Sequence, residues 1–139
     1  MSDPFDLQRF VNAQGPVYDT AVAELRDGRK RSHWMWFVFP QIEGLGRSLM
    51  AHKYAIGSRA EASAYLGHPV LGPRIIECTR LVNAIDGRTA HEIFGAPDDM
   101  KFRSSMTLFA RVADGGDDFI AAVWKYFGLE FDEATIARL

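Results

Sequence analysis

The chain has 139 residues and a formal net charge of −2, with 47% hydrophobic and 24% charged residues. This composition excludes a disordered chain. It also argues against a protein built to coat nucleic acid or anionic lipid, because such proteins are usually basic. The length suits one domain, spanning residues 1–139, with a hydrophobic core of its own.

Cellular location is inferred from the single cysteine and from the absence of long apolar runs. Cys78 has no partner for an internal disulfide, so we expect a buried, unreactive side chain. No apolar run approaches the ~20 residues of a membrane span. The segment Met1–Pro4 lacks the basic and apolar regions of a signal peptide. These features predict a cytoplasmic protein without a membrane partner.

Capping residues and glycines divide the first half of the chain into short helices. Asp3 predicts the start of a helix over residues 4–13, and a second helix is predicted over 16–26. The stretch 29–41 is apolar without a clear period, and we interpret it as a short helical turn ended by Pro40. A buried strand is the alternative, because periodicity cannot separate the two. An irregular region around residues 45–56 follows.

The second half carries clearer helix signals. Predicted caps are Ser58, Thr89, Asp98, Asp117 and Asp132. Pro73 also predicts a helix start, and glycines predict helix ends. The expected helices cover residues 59–66, 73–85, 90–95, 98–112, 119–127 and 133–139. Alternating strands and two-residue hairpin signals are scarce. The prediction is an all-α fold, a compact multihelical single domain, with a minor two-stranded element in the central segment at most.

Cations and tryptophans lie side by side in residues 29–41. The side chains that could hold an anionic, ring-bearing ligand there are Lys30, Arg31, Ser32, His33, Trp34 and Trp36. The first four offer donors to phosphate or carboxylate, and the indole rings could stack on a base. The alternative is structural: the aromatic residues belong to the core and the cations form a solvated helix end.

A second polar cluster follows Pro97. Its candidate ligand-binding residues are Lys101, Arg103, Ser104 and Ser105, with Lys101 and Ser105 on one helical face. A lysine can activate a serine as a nucleophile, although nothing in this spacing is specific to that chemistry. The alternative is an ordinary amphipathic helix capped by Asp98 and Asp99. Catalytic residues stay unknown, and His33 and Asp99 are the weak acid–base candidates.

No cofactor or metal is predicted. The four histidines do not pair at ligand spacing, and the only cysteine stands alone. The Gly44-Leu45-Gly46 segment lacks the further glycine and lysine of a phosphate-binding loop, and no nucleophile elbow occurs.

Three motifs resemble the DUF1810 family, small bacterial proteins of unknown function. They cover residues 29–41, 65–74 and 93–109, and the opening residues 5–10 and the closing Tyr126-Phe127 also fit. The resemblance implies a mainly helical fold of the Rv1873-like type and no established activity or catalytic residues. A remoter similarity, without an aligned motif, is to NADAR-type proteins, which handle ADP-ribose derivatives.

The amino-acid sequence leaves two functions open. The first is a binder of, or a small enzyme on, an anionic ring-bearing ligand such as a nucleotide or an ADP-ribose derivative. The second is a non-catalytic interaction module, in the form of a homodimer for example, that uses an exposed aromatic patch of the central segment. Nucleic acid is an unfavoured partner. For the first function we expect residues 30–36 and 98–105 to meet at one pocket. The structural alternative is an ion pair of Asp98 or Asp99 with Lys30 or Arg31, without a cavity.

Overall fold

The computed structural model describes residues 3–139, which contain ten helices and no named strand. In chain order the helices are α1 (Gln8–Gln14), α2 (Tyr18–Arg26), α3 (Met35–Val38), α4 (Leu49–Lys53), α5 (Arg59–Gly67), α6 (Leu71–Asn83), α7 (Ala90–Phe94), α8 (Asp98–Val112), α9 (Asp117–Phe127) and α10 (Glu133–Ala137). The all-α prediction is confirmed. The predicted two-stranded element is reduced, within the described residues, to a single parallel bridge between Ile42 and Ile56.

Helix α8 organises the second half of the molecule. It packs against α5, α7, α9 and α10, while α6 packs against α2, α5 and α9. Phe102, Met106 and Phe109, spaced by four and three residues along α8, are fully buried in this assembly. Phe94 stacks on Phe102 with ring centroids 4.7 Å apart, and Phe39 meets Phe102 edge-on at 5.1 Å. The central segment and α8 therefore share one aromatic core.

The predicted first helix begins too early. Asp3 does accept hydrogen bonds from the backbone N–H groups of Leu7 and Gln8, at 2.8 and 3.0 Å. Asp6, however, adopts a left-handed backbone with φ +50°, which no helix interior allows. Helix α1 consequently starts at Gln8, after a turn.

Two further helix starts differ from the predictions. Helix α6 begins before Pro73, at Leu71, because the His68 ring nitrogen Nδ1 accepts from the N–H groups of Val70 and Leu71. Helix α4 lies in the region predicted to be irregular. Ser48 caps it by accepting from Ala51 N–H at 3.0 Å.

No helix among residues 3–139 is both long enough and apolar enough to cross a lipid bilayer.

Candidate ligand-binding site

The two polar segments meet at the carboxylate of Asp98. Lys30 Nζ lies 2.9 Å from one oxygen of Asp98, and Lys101 Nζ lies 3.7 Å from the other. Helix α8 begins at Asp98, so this side chain does not act as the predicted cap. One of the ion pairs that the sequence offered as a structural alternative, Lys30 with Asp98, is therefore present, and Lys101 lies beside the same carboxylate.

Lys30 is held on the surface of the core. Its backbone N–H donates to the carbonyl of Ile93 at 2.7 Å, which ties the segment to α7. Its ammonium lies 5.3 Å from the ring centroid of Trp34, and its side chain is only 9% exposed. Trp34 itself is fully buried. Trp34 therefore packs under Lys30 and offers no face to a ligand.

Ser32 and Trp34 bind an internal anion, the carboxylate of Glu24. Ser32 Oγ donates to it at 2.6 Å, Trp34 Nε1 at 2.9 Å and Arg31 N–H at 2.8 Å. Burial of Glu24 alone would raise its pKa, but these hydrogen bonds outweigh burial and lower the pKa to about 2. The donors predicted for a ligand are thus partly satisfied within the fold. No sequence pattern singles out Glu24, although a buried indole N–H does require an acceptor.

Arg31 and His33 lie on the surface, away from Asp98. Arg31 is exposed and pairs with Asp27 one helical turn earlier, beside an open depression along α2. His33 is exposed. The other weak catalytic candidate, Asp99, faces the ring of His91, with Nδ1 3.4 Å from its carboxylate. The structure does not bring His33 and Asp99 together as an acid–base pair.

Two of the four candidates on α8, Arg103 and Ser104, contact the C-terminal part of the chain. Arg103 donates to the carbonyls of Glu130 and Phe131, at 2.6 and 3.1 Å. Ser104 Oγ lies 2.9 Å from a carboxylate oxygen of Asp132. Ser105 is fully buried, and its hydroxyl has no hydrogen-bond partner within residues 3–139. No hydrogen bond links Ser105 to Lys101 there, so the Ser–Lys nucleophile pair is not formed.

Trp36 and Lys101 remain, and they line one small, partly enclosed cavity. The other lining residues are Met35, Phe39, Gln41, Ala51 and Tyr54. Lys101 Nζ lies 5.4 Å from the ring centroid of Trp36. The indole Nε1 of Trp36 is buried and has no hydrogen-bond partner in the described part of the chain. The cavity measures about 10 Å³, roughly the space that one water molecule needs.

This cavity combines apolar walls with hydrogen-bond donors. The indole N–H of Trp36 and the ammonium of Lys101 can only donate, while the amide of Gln41 can donate or accept. Such a set suits an acceptor atom of a ligand, above all one with negative charge. Gln41 and Tyr54 were not predicted as site residues, because only the bridge between Ile42 and Ile56 brings their segments together. No group of three or more potential metal ligands occurs within residues 3–139.

Fold and site together define a small all-α protein in which two polar segments meet at the edge of an aromatic core. A family model described as "Protein of unknown function (DUF1810)" matches residues 4–139, so the chain belongs to the DUF1810 family. It is 60% identical to the conserved hypothetical protein Rv1873 from Mycobacterium tuberculosis, whose crystal structure superimposes with a TM-score of 0.98. That match covers 99% of this chain and 98% of the other. The comparison with curated proteins finds no match.

Proposed function

We propose that the protein binds a small anionic, ring-bearing ligand, such as a nucleotide or an ADP-ribose derivative, at the Trp36–Lys101 cavity. The observation that supports this proposal is the buried, unpartnered indole N–H of Trp36, whose ring centroid lies 5.4 Å from the ammonium of Lys101. A buried donor without an acceptor costs about 1–3 kcal/mol. An acceptor atom of a ligand would remove that cost and meet the positive charge of Lys101 at the same time.

The size of the cavity determines how such a ligand binds. About 10 Å³ admits one oxygen atom but no ring. The ligand therefore inserts a phosphoryl or carboxyl oxygen, while its ring packs outside, against the exposed part of the indole. Trp36 is only partly buried and leaves such a surface, whereas Trp34 leaves none. The proposal concerns binding, because the acid–base candidates do not converge on this cavity.

Calorimetric titration with AMP, ADP-ribose and inorganic phosphate tests the proposal. Trp36→Phe keeps the ring and removes the N–H, and Lys101→Met removes the charge. Each should weaken binding of AMP or ADP-ribose at least tenfold, a loss of ~1.4 kcal/mol. The matched controls are Trp124→Phe and Lys53→Met, whose side chains do not line the cavity. Inorganic phosphate, which lacks a ring, should bind more weakly than AMP.

Two results would contradict the proposal. One is the absence of heat of binding and of any rise in melting temperature with all three compounds, since a tight ligand must stabilise the fold it binds. The other is equal weakening by the cavity variants and by their controls, which would indicate a general effect of charge or ring loss.

A protein-interaction module is the second candidate. The exposed apolar side chains that could serve it lie on α9 and not in the central segment. Trp34 is fully buried, so the central segment has no flat aromatic face. On α9, however, Trp124 is 67% exposed, and Ile120 lies one turn earlier on the same face. We propose self-association through this face as the alternative. Sedimentation velocity should then show a dimer that Trp124→Lys abolishes, and a monomer at every concentration would contradict it.

A further inference from the structure

A basic groove lies between residues 29–30 and the α7 region, separate from the Trp36–Lys101 cavity. Its lining residues are Arg29, Lys30, Arg88, His91, Glu92, Ile93, Phe94 and Gly95. None of them lines the cavity described above. The groove volume of about 470 Å³ falls within the roughly 300–1,000 Å³ range of small-ligand pockets. The groove is therefore large enough to hold a ligand of its own.

Arginine charge without a direct ion-pair partner distinguishes this groove, since the carboxylates of Asp27 and Glu92 meet Arg88 only through longer-range Coulomb attraction. The side chains of Arg29 and Arg88 make no ion pair or hydrogen bond within residues 3–139, and both residues are exposed. Lys30 is balanced by Asp98, and His91 lies beside Asp99. Two arginine charges thus remain in a chain whose net charge is −2. They are free to meet an anion from outside.

The acidic residue of the groove is engaged locally. Glu92 accepts a hydrogen bond from the Thr89 backbone N–H at 2.8 Å, and Thr89 Oγ accepts from Glu92 N–H at 3.1 Å. This reciprocal pair is the capping box of α7. It holds the Glu92 carboxylate against the first turn of the helix, so this carboxylate forms no ion pair with Arg29 or Arg88.

Backbone contacts fix the two walls of the groove. The Lys30 N–H bond to the Ile93 carbonyl joins them at 2.7 Å. Arg88 runs across Gly28, where an added Cβ would lie 3.3 Å from the guanidinium Nε. Gly28 has φ +77°, a conformation that other residues rarely adopt. The stem of Arg88 thus passes close over Gly28, and its guanidinium makes no direct ion pair within residues 3–139.

We propose that this groove binds the phosphate groups of a small free oligophosphate. A guanidinium presents a planar fork of donors that matches phosphate oxygens two at a time, and a pair of them suits a di- or triphosphate. The site does not depend on the proposed function, since it shares no lining residue with the Trp36–Lys101 cavity.

Titration calorimetry with tripolyphosphate tests the proposal. The double variant Arg29→Gln/Arg88→Gln should weaken binding at least tenfold. The control Arg47→Gln/Arg111→Gln removes the same charge from two other exposed arginines and should change binding less than twofold. The single variants Arg29→Gln and Arg88→Gln should each give an intermediate loss. Thermal unfolding followed by circular dichroism verifies that all variants fold.

Several results would overturn this inference. They are no tripolyphosphate binding by the unmodified protein, and equal losses in the two double variants. Binding of a single-stranded oligonucleotide without binding of tripolyphosphate would overturn it as well, because it would indicate a nucleic-acid surface instead. Lys101→Met should retain tripolyphosphate binding, and its loss in that variant would place the phosphate at the other cavity. If AMP and ADP-ribose do not bind at the Trp36–Lys101 cavity, tripolyphosphate is still expected to bind in the groove.

Discussion

Glu24 is the residue that holds the turn before α3 in place. Its carboxylate accepts hydrogen bonds from Arg31 N–H, Ser32 Oγ and Trp34 Nε1. Hydrogen bonds to a charged group are stronger than neutral ones, and Trp34 has no solvent to replace its acceptor. The geometry of the whole turn therefore depends on one carboxylate from another helix.

We predict that Glu24→Gln lowers the unfolding free energy by about 3 kcal/mol at pH 7. This free energy corresponds to the lowering of the Glu24 pKa from 4.5 to about 2. Because the folded pKa lies below the unfolded one, this stability is present above pH 4.5 and is lost as the pH falls towards 2. The difference in unfolding free energy between Glu24→Gln and the unmodified protein should thus be about 2 kcal/mol smaller at pH 3 than at pH 7.

Urea unfolding followed by circular dichroism at both pH values measures the effect of Glu24→Gln. The exposed Glu43 supplies the control Glu43→Gln, which should have little effect. If the difference in unfolding free energy between Glu24→Gln and the unmodified protein were the same at both pH values, the lowered pKa of Glu24 would be contradicted.

Cys78 gives a second prediction for a single residue. It is fully buried, as expected from its neighbours on α6, and burial raises its pKa from 9.0 to about 12. The thiolate fraction near pH 8 then falls about a thousandfold. A thiol reagent should label the native protein far more slowly than the chain unfolded in guanidinium, and comparable rates would show that the site opens.

Ser32 and Trp34 show where residue-level sequence reasoning stops. The sequence predicted Ser32 as a hydrogen-bond donor to a ligand and Trp34 as a stacking ring. It could not reveal that Glu24, eight residues before Ser32, supplies their acceptor. Trp36 and Lys101 were also identified, yet Gln41 and Tyr54 were not. A sequence shows which groups can bind, and only the tertiary contacts show which are already satisfied.

At the scale of helices, two of the five caps predicted in the second half of the chain form. Asp98 and Asp117 lie inside α8 and α9, and the Asp132 side chain accepts no backbone N–H bond at the start of α10. Ser58 and Thr89 cap α5 and α7 as predicted, because a cap needs only residues three positions away. Asp98 instead pairs with Lys30, which is far away in the chain. The ring nitrogen of His68 caps the start of α6. This role was not predicted, because histidine is not one of the usual capping residues.

The crossing of α5 and α6 depends on Gly72. A Cβ at this position would lie 2.1 Å from the carbonyl oxygen of Leu66, a backbone atom that cannot rotate away. We predict that Gly72→Ala destabilises the protein by about 3 kcal/mol, despite the better helix propensity of alanine. Gly67→Ala is the control, since nothing lies within 4 Å of its added Cβ. Equal thermal stability of the two variants would argue against a close crossing.

The whole molecule is predicted to unfold as one unit. Because α8 contacts α5, α7, α9 and α10, and α6 joins α2 and α3 to α5 and α9, the helices form one connected core. Scanning calorimetry should show one transition with an enthalpy of about 100 kcal/mol near 60 °C, equal to the van't Hoff value. Two transitions, or a calorimetric enthalpy well above the van't Hoff value, would mean that the single-domain prediction is wrong.

The three tryptophans lie in three different surroundings, and this gives the protein a built-in optical reporter. Trp34 is fully buried and hydrogen-bonded to Glu24, Trp36 is partly buried beside Lys101, and Trp124 is 67% exposed. Water-exposed indoles emit at longer wavelengths than buried ones, so Trp124 supplies the red edge of the emission spectrum. Trp124→Phe would leave a spectrum dominated by the core and by the proposed cavity. Quenching or a spectral shift in that variant would then report on Trp36 without any added label.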